Sequence, residues 1–111
     1  MIYEKWDIVL VPFPFTNLSS IKKRPAIIIS NHAYNTFGDS IIVYVTSQIT
    51  QATKPGDYLI KSWNSAGLPK SSLIRMKFAT IDNNIILKKL GSLSEIDRND
   101  FLAVLVDFLK A

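Results

Sequence analysis

Short β-branched apolar runs, cut by proline, glycine and asparagine, fill the first 90 residues, and a longer apolar stripe of helical spacing closes the chain. Runs of five or six residues bounded by turn formers predict strands. The first spans Trp6 to Pro12, where Pro12 and Pro14 begin to remove ladder donors. Phe13 to Ser20 reads as a loop, since two prolines and a polar tail defeat both periodicities. Strands then follow at about Arg24 to Ser30, Ser40 to Ser47, Asp57 to Lys61, Ser71 to Ile81 and Ile85 to Leu90. Turn-rich passages separate them at 31–39, 48–56, 63–69 and 82–84, and Gly91 is read as the break before a helix. In that helix Ser94 and Asp97 resemble a capping box with Asp in place of Glu. Ile96, Phe101, Leu102, Leu105, Val106, Phe108 and Leu109 form a stripe wider than one buried face needs. Many short strands followed by one helix, without βαβ alternation, predict a mainly β fold: a small, strongly curved antiparallel sheet closed into a barrel with the helix against it.

With 111 residues, 48% apolar and 20% charged, the chain has the size and core material of a single domain spanning 1–111. No apolar run approaches the roughly 20 residues of a membrane span, and Met1 to Lys5 lacks the order of a signal peptide, so a cytoplasmic protein without membrane contact is expected. The absence of cysteine excludes disulfides, thiol catalysis and thiolate metal sites. A lone histidine, His32, without ligand-spaced neighbours makes a zinc centre improbable, so no cofactor is expected. The net charge of +4 is uneven. Residues 94–111 carry four carboxylates against Arg98 and Lys110, a net of −2, which leaves +6 on the first 93. A basic strand region favours a polyanionic partner, nucleic acid or an acidic protein segment; a merely solvated surface is the equal alternative.

Candidate chemistry concentrates where Lys22-Lys23-Arg24-Pro25 runs into Ala26-Ile27-Ile28-Ile29. A strand covered on both faces fixes the position of its first residue, so Arg24 can aim its guanidinium from the rim of a core. Thr46-Ser47 ends the next strand and can bring two hydroxyls beside it, the outline of an anion or phosphoryl site. Arg75 and Lys77 share a strand face by their period-two spacing, a pair whose usual fate is solvation. Phe13 and Phe15 are more often core plugs, yet beside three cations they leave base stacking open. His32 sits at the far end of its strand from Arg24 and is read as structural.

These residues carry a resemblance. Asp7-Ile8-Val9-Leu10-Val11-Pro12-Phe13-Pro14-Phe15-Thr16, Arg24-Pro25-Ala26-Ile27-Ile28, Val45-Thr46-Ser47, Ala66-Gly67-Leu68-Pro69-Lys70, Thr80-Ile81-Asp82 and Leu90-Gly91-Ser92-Leu93 are together similar to the PemK/MazF-like toxins of prokaryotic toxin–antitoxin systems. The resemblance implies an SH3-like barrel with a C-terminal helix, a homodimer, and a metal-independent, sequence-specific endoribonuclease acting on single-stranded mRNA. It also implies a cognate antitoxin whose acidic tail crosses the active groove. Position by position it implies Arg24 and Thr46 as the catalytic pair, with Ser47, Lys22, Lys23, Phe15, Thr16, Arg75 and Lys77 binding RNA or supporting the site. Three positions depart from the family pattern. Trp6 replaces the usual glycine before Asp7, Lys77 stands where aspartate is frequent, and Asn17 lies in a loop where some relatives carry a functional histidine.

The chemistry so implied needs few protein groups. If the ribose 2′-hydroxyl attacks its own phosphate, the protein must hold an in-line geometry and neutralise the phosphorane, and an arginine fork with a hydroxyl donor suits that task. Two other readings stay open: a non-catalytic toxin of the same fold gripping a protein such as gyrase, and an inactive RNA-binding homologue.

Overall fold

The computed structural model describes residues 2–13, 22–49 and 53–110. Its strands are β1 (Asp7–Phe13), β2 (Lys22–Ile28), β3 (Asp39–Thr46), β4 (Tyr58–Leu59), β5 (Leu73–Asp82) and β6 (Lys88–Ser92). A short helix α1 (His32–Asn35) follows β2, and a long helix α2 (Glu95–Leu109) closes the chain. All six strands form one antiparallel sheet in the order β4-β5-β3-β2-β1-β6.

That order forces curvature. β5 and β6 are consecutive in the chain, yet β3, β2 and β1 lie between them in the sheet. At about 4.8 Å per strand spacing a flat sheet would hold them ~19 Å apart. The connection, a 3₁₀ turn over Asn83–Ile85 capped by the Asp82 carboxylate on the Asn84 N–H, is shorter than that. The sheet therefore curls into a half-barrel, and the Leu87 N–H, donating to the Leu10 carbonyl, extends the β1–β6 ladder.

Strand alternation divides the core. One face buries Ile8, Ile27, Val43, Val45 and Ile74 under α2, whose Phe101 is fully buried and whose Val104 and Leu105 pack beside it. The other face buries Val9, Val11, Ala26, Ile28, Ile42 and Ile81 with Tyr3 and Ile86. The strand and helix order agrees with the sequence reading, and several details correct it. The passage after β2 contains α1, capped by Asn31, whose side chain accepts from the Tyr34 N–H. Gly91 lies inside β6 rather than ending it. A Cβ there would stand 2.1 Å from the Ala66 carbonyl oxygen, and one on Gly67 would stand 2.2 Å from that of Leu90. Two backbone segments touch at this point, so each needs its glycine.

Asp97 is more than a cap. Ser94 accepts from its N–H as expected of an N-cap, but the carboxylate is fully buried and turns to the β4 connection. It accepts from the Tyr58 hydroxyl at 2.6 Å, from the Lys61 and Ser62 N–H groups at 3.0 and 2.9 Å, and from the Ser94 hydroxyl at 3.0 Å. Burial opposes its charge, but these donors prevail and hold its pKa below the ordinary value, while burial and the same contact raise that of Tyr58. Trp6 has φ +75°, a left-handed conformation that a bulky residue adopts only at a cost. Its ring meets Phe101 edge-on at 6.1 Å, contact that a glycine could not supply.

Candidate active site

The site begins with a missing donor. In β2 the Ile29 N–H points to β3, donating to Ile41, whereas Ile28 turns its carbonyl toward Trp6 on the β1 side. Alternation therefore aims position 25 at β3, and Pro25 has no N–H to offer there. The β2–β3 ladder pairs Ile28 with Ile42, Ile27 with Val43 and Ala26 with Tyr44, and goes no further. Had it continued, Arg24 would face Thr46. Instead a cleft of about 210 Å³ opens between the strand ends, lined by Arg24, Pro25, Tyr44, Val45, Thr46, Gln48, Arg75 and Lys77.

Neighbouring pairs identify its face. Arg24 pairs with Val11, and Tyr44 with both Ala26 and Arg75, so these side chains leave the face opposite α2. A register step in β5 places Arg75 opposite Tyr44 and Phe78 opposite Val43, leaving Met76 and Lys77 as extra residues. Such a bulge re-aims side chains. Met76 packs against the core under α2, and Lys77 lines the cleft.

Each wall has a chemical character. Arg24 is exposed. Thr46 is half-buried, and its Oγ1 accepts the Gln48 N–H at 3.1 Å, so the hydroxyl proton remains for a ligand oxygen. Burial raises the pKa of Tyr44 and keeps it a neutral phenol. Arg75 is held by Asp57 through Nε to Oδ1 at 3.3 Å and Nη2 to Oδ2 at 3.0 Å, with the side chains only 13% and 4% exposed. Burial disfavours the Asp57 carboxylate, yet the Arg75 hydrogen bond and the Lys54 N–H at 2.8 Å bring its pKa below the ordinary value.

Arg24, Thr46, Arg75 and Lys77 thus come together as the sequence suggested. Ser47 is exposed just beyond the cleft. Lys22 and Lys23 are exposed at the start of β2, with Lys22 on the Arg24 face. Phe15, Thr16 and Asn17 lie outside the described residues. His32 is remote from the cleft, its Nδ1 2.6 Å from Glu4 Oε1. Sequence reasoning missed Tyr44, Gln48 and Asp57. Tyr44 was legible as one strand alternation from Thr46; Asp57 reads only as the first residue of a short strand beside a polar loop. Among the described residues no group of three or more His, Asp or Glu could hold a metal ion.

Fold and cleft together define a small β protein with a cationic, hydroxyl-bearing groove, the kind of surface that takes a phosphodiester. The family model of the PemK-like, MazF-like toxins of type II toxin–antitoxin systems matches residues 4–109. The chain belongs to that family. Solved structures share its fold. An endoribonuclease in complex with its cognate antitoxin from a mycobacterial species superposes with a TM-score of 0.76 at 16% identity, over 96% of this chain and 94% of that one. MazF from Deinococcus radiodurans gives 0.72 at 21% identity, over 98% and 94%. The Mycobacterium tuberculosis toxin MazF-mt6 gives 0.73 at 12% identity, over 92% and 94%. A comparison with curated protein sequences returns no match.

Proposed function

We propose that this chain is the toxin of a toxin–antitoxin pair and acts as a metal-independent endoribonuclease on single-stranded RNA, with Arg24 and Thr46 as its catalytic residues. The observation that carries the reading is the cleft left where Pro25 stops the β2–β3 ladder, with Arg24 and Thr46 on its two lips. Family membership and the endoribonuclease neighbours give it its substrate class.

The 2′-hydroxyl of the substrate gives up its proton to solvent water as it attacks the adjacent phosphorus, and the bond to the 5′-oxygen of the next nucleotide breaks, that oxygen taking a proton from solvent as it leaves. Arg24 donates two parallel hydrogen bonds to the non-bridging oxygens as negative charge accumulates on the phosphorane. Thr46 donates a hydrogen bond from its hydroxyl to the same group or to a bridging oxygen and keeps its proton. Lys77 adds positive potential from the β5 side, where Arg75, its charge balanced by Asp57, is held in a fixed position in the wall. Products are a 2′,3′-cyclic phosphate and a 5′-hydroxyl. A cognate acidic antitoxin would compete for the same groove, as its charge predicts.

Expression of the chain should arrest growth, and purified protein should cut RNA in excess EDTA. Arg24→Ala should fold normally and lose about 10²–10³ in rate, the usual cost of one transition-state donor. An equally active Arg24→Ala protein overturns the assignment.

A further inference from the structure

We infer that the RNA track continues past Arg75 and Lys77 into a second hollow, where a nucleobase stacks on Phe108 and a phosphate meets Lys54. This deepens the endoribonuclease reading and rests on it for the substrate class. The hollow has a volume of about 180 Å³ and is lined by Lys54, Pro55, Asp57, Arg75, Met76, Lys77 and Phe108. Arg75 and Lys77 also line the catalytic cleft, so the two share a wall and one strand of RNA can occupy both.

Phe108, in the last turn of α2, is 43% exposed, a large ring left in solvent beside two cations. The 54–57 turn is closed by the Asp57 N–H on the Lys54 carbonyl and by the Lys54 N–H on the Asp57 carboxylate. Gly56 has φ +87°, and a Cβ there would lie 2.5 Å from Met76 Cγ and 3.0 Å from Phe108 Cδ1. The turn thus backs onto one edge of the Phe108 ring. Asp57, an acidic group in the lining, is neutralised by Arg75, so its carboxylate does not repel a polyanion. Cationic side chains alternating with an aromatic platform bind single strands without regard to base identity. An acidic protein segment would be drawn by the same charges, but continuity with the catalytic cleft favours RNA.

The test measures affinity of fluorescein-labelled oligouridylate and oligoadenylate, each of 4 and 12 nucleotides, for the full chain and for Phe108→Leu, Phe108→Trp and Lys54→Ala. Leucine keeps apolar packing and removes the π face; tryptophan keeps both. The expected result is that the affinity gained on lengthening from 4 to 12 nucleotides falls about tenfold in Phe108→Leu and is retained in Phe108→Trp. Lys54→Ala should lower the slope of log affinity against log salt by about 0.7, one phosphate contact on a single strand. An unchanged length advantage in Phe108→Leu overturns the proposal, as does equal loss at both lengths. If that advantage is unchanged while binding of polyglutamate weakens, the hollow serves an acidic protein segment instead. RNA that binds as expected but is never cut leaves this subsite standing and removes the catalytic reading; RNA that is cut with no effect of the variants does the reverse.

Discussion

Arg24 was legible in the sequence because a buried β-branched run fixes where its first residue must sit. Thr46 was legible for the same reason at the end of the next run. Asp57 was not, because the pairing that gives it meaning crosses 18 residues, and nothing in a polar turn announces that its carboxylate will be buried against an arginine. Its role makes a prediction. Asp57→Asn keeps the shape and removes the charge that holds Arg75, so activity should fall roughly tenfold by misplacement while binding of short RNA changes less, as a split between kcat and KM. Because the folded pKa of Asp57 is depressed, its stabilisation is present above the ordinary carboxylate value of about 3.9 and is lost as pH falls through the lower folded value. Thr46→Val should reduce cleavage with little change in Tm, since the Gln48 N–H it abandons is exposed and water can replace the acceptor. A fall in Tm as large as a core defect would make Thr46 structural.

At the scale of elements, the interruption of β2 is the feature with most consequence. Pro25→Val supplies the missing N–H opposite Val45 and should let the β2–β3 ladder extend toward Arg24 and Thr46. Stability should rise by about 0.5–1.5 kcal/mol, one hydrogen bond, while RNA cleavage drops because the cleft narrows. A variant that is stabilised and fully active would separate the cleft from the proline. The helix depends on Asp97 in a comparable way. Asp97→Ala strands the Tyr58 hydroxyl and the Lys61 and Ser62 N–H groups without their acceptor, and should cost about 3 kcal/mol or more, on the order of 10 °C in Tm. Native stability should likewise fall with acid as pH drops through the depressed folded pKa of Asp97, having been complete above the ordinary value. Periodicity announced the helix and its cap. It could not show that the first-turn carboxylate would reach inward to the β4 connection, nor that Gly67 and Gly91 are matched across a backbone contact.

At the scale of the whole molecule, alternating strands followed by one helix implied a curved sheet, and the six-strand order confirms it. The sequence stripe on the helix was too wide for one buried face, and the structure leaves Ile96, Leu102, Val106 and Leu109 exposed at 63, 45, 44 and 69%. Pairing two copies across such area would bury it, so sedimentation should show a dimer at micromolar concentration, and Leu102→Lys with Val106→Lys should return a monomer. No helix among the described residues is long and apolar enough to cross a membrane. The uneven charge also fits a site built by strands rather than by the helix. The most direct test of the central claim uses one RNA with a mapped cut and its twin bearing deoxyribose only at the scissile position, both in excess EDTA. The account predicts that the twin binds nearly as well and is not cut, while the parent yields a 2′,3′-cyclic phosphate and a free 5′-hydroxyl. A twin that is cut, or a parent product bearing a 5′-phosphate, would mean that water attacks, contradicting the roles assigned to Arg24 and Thr46.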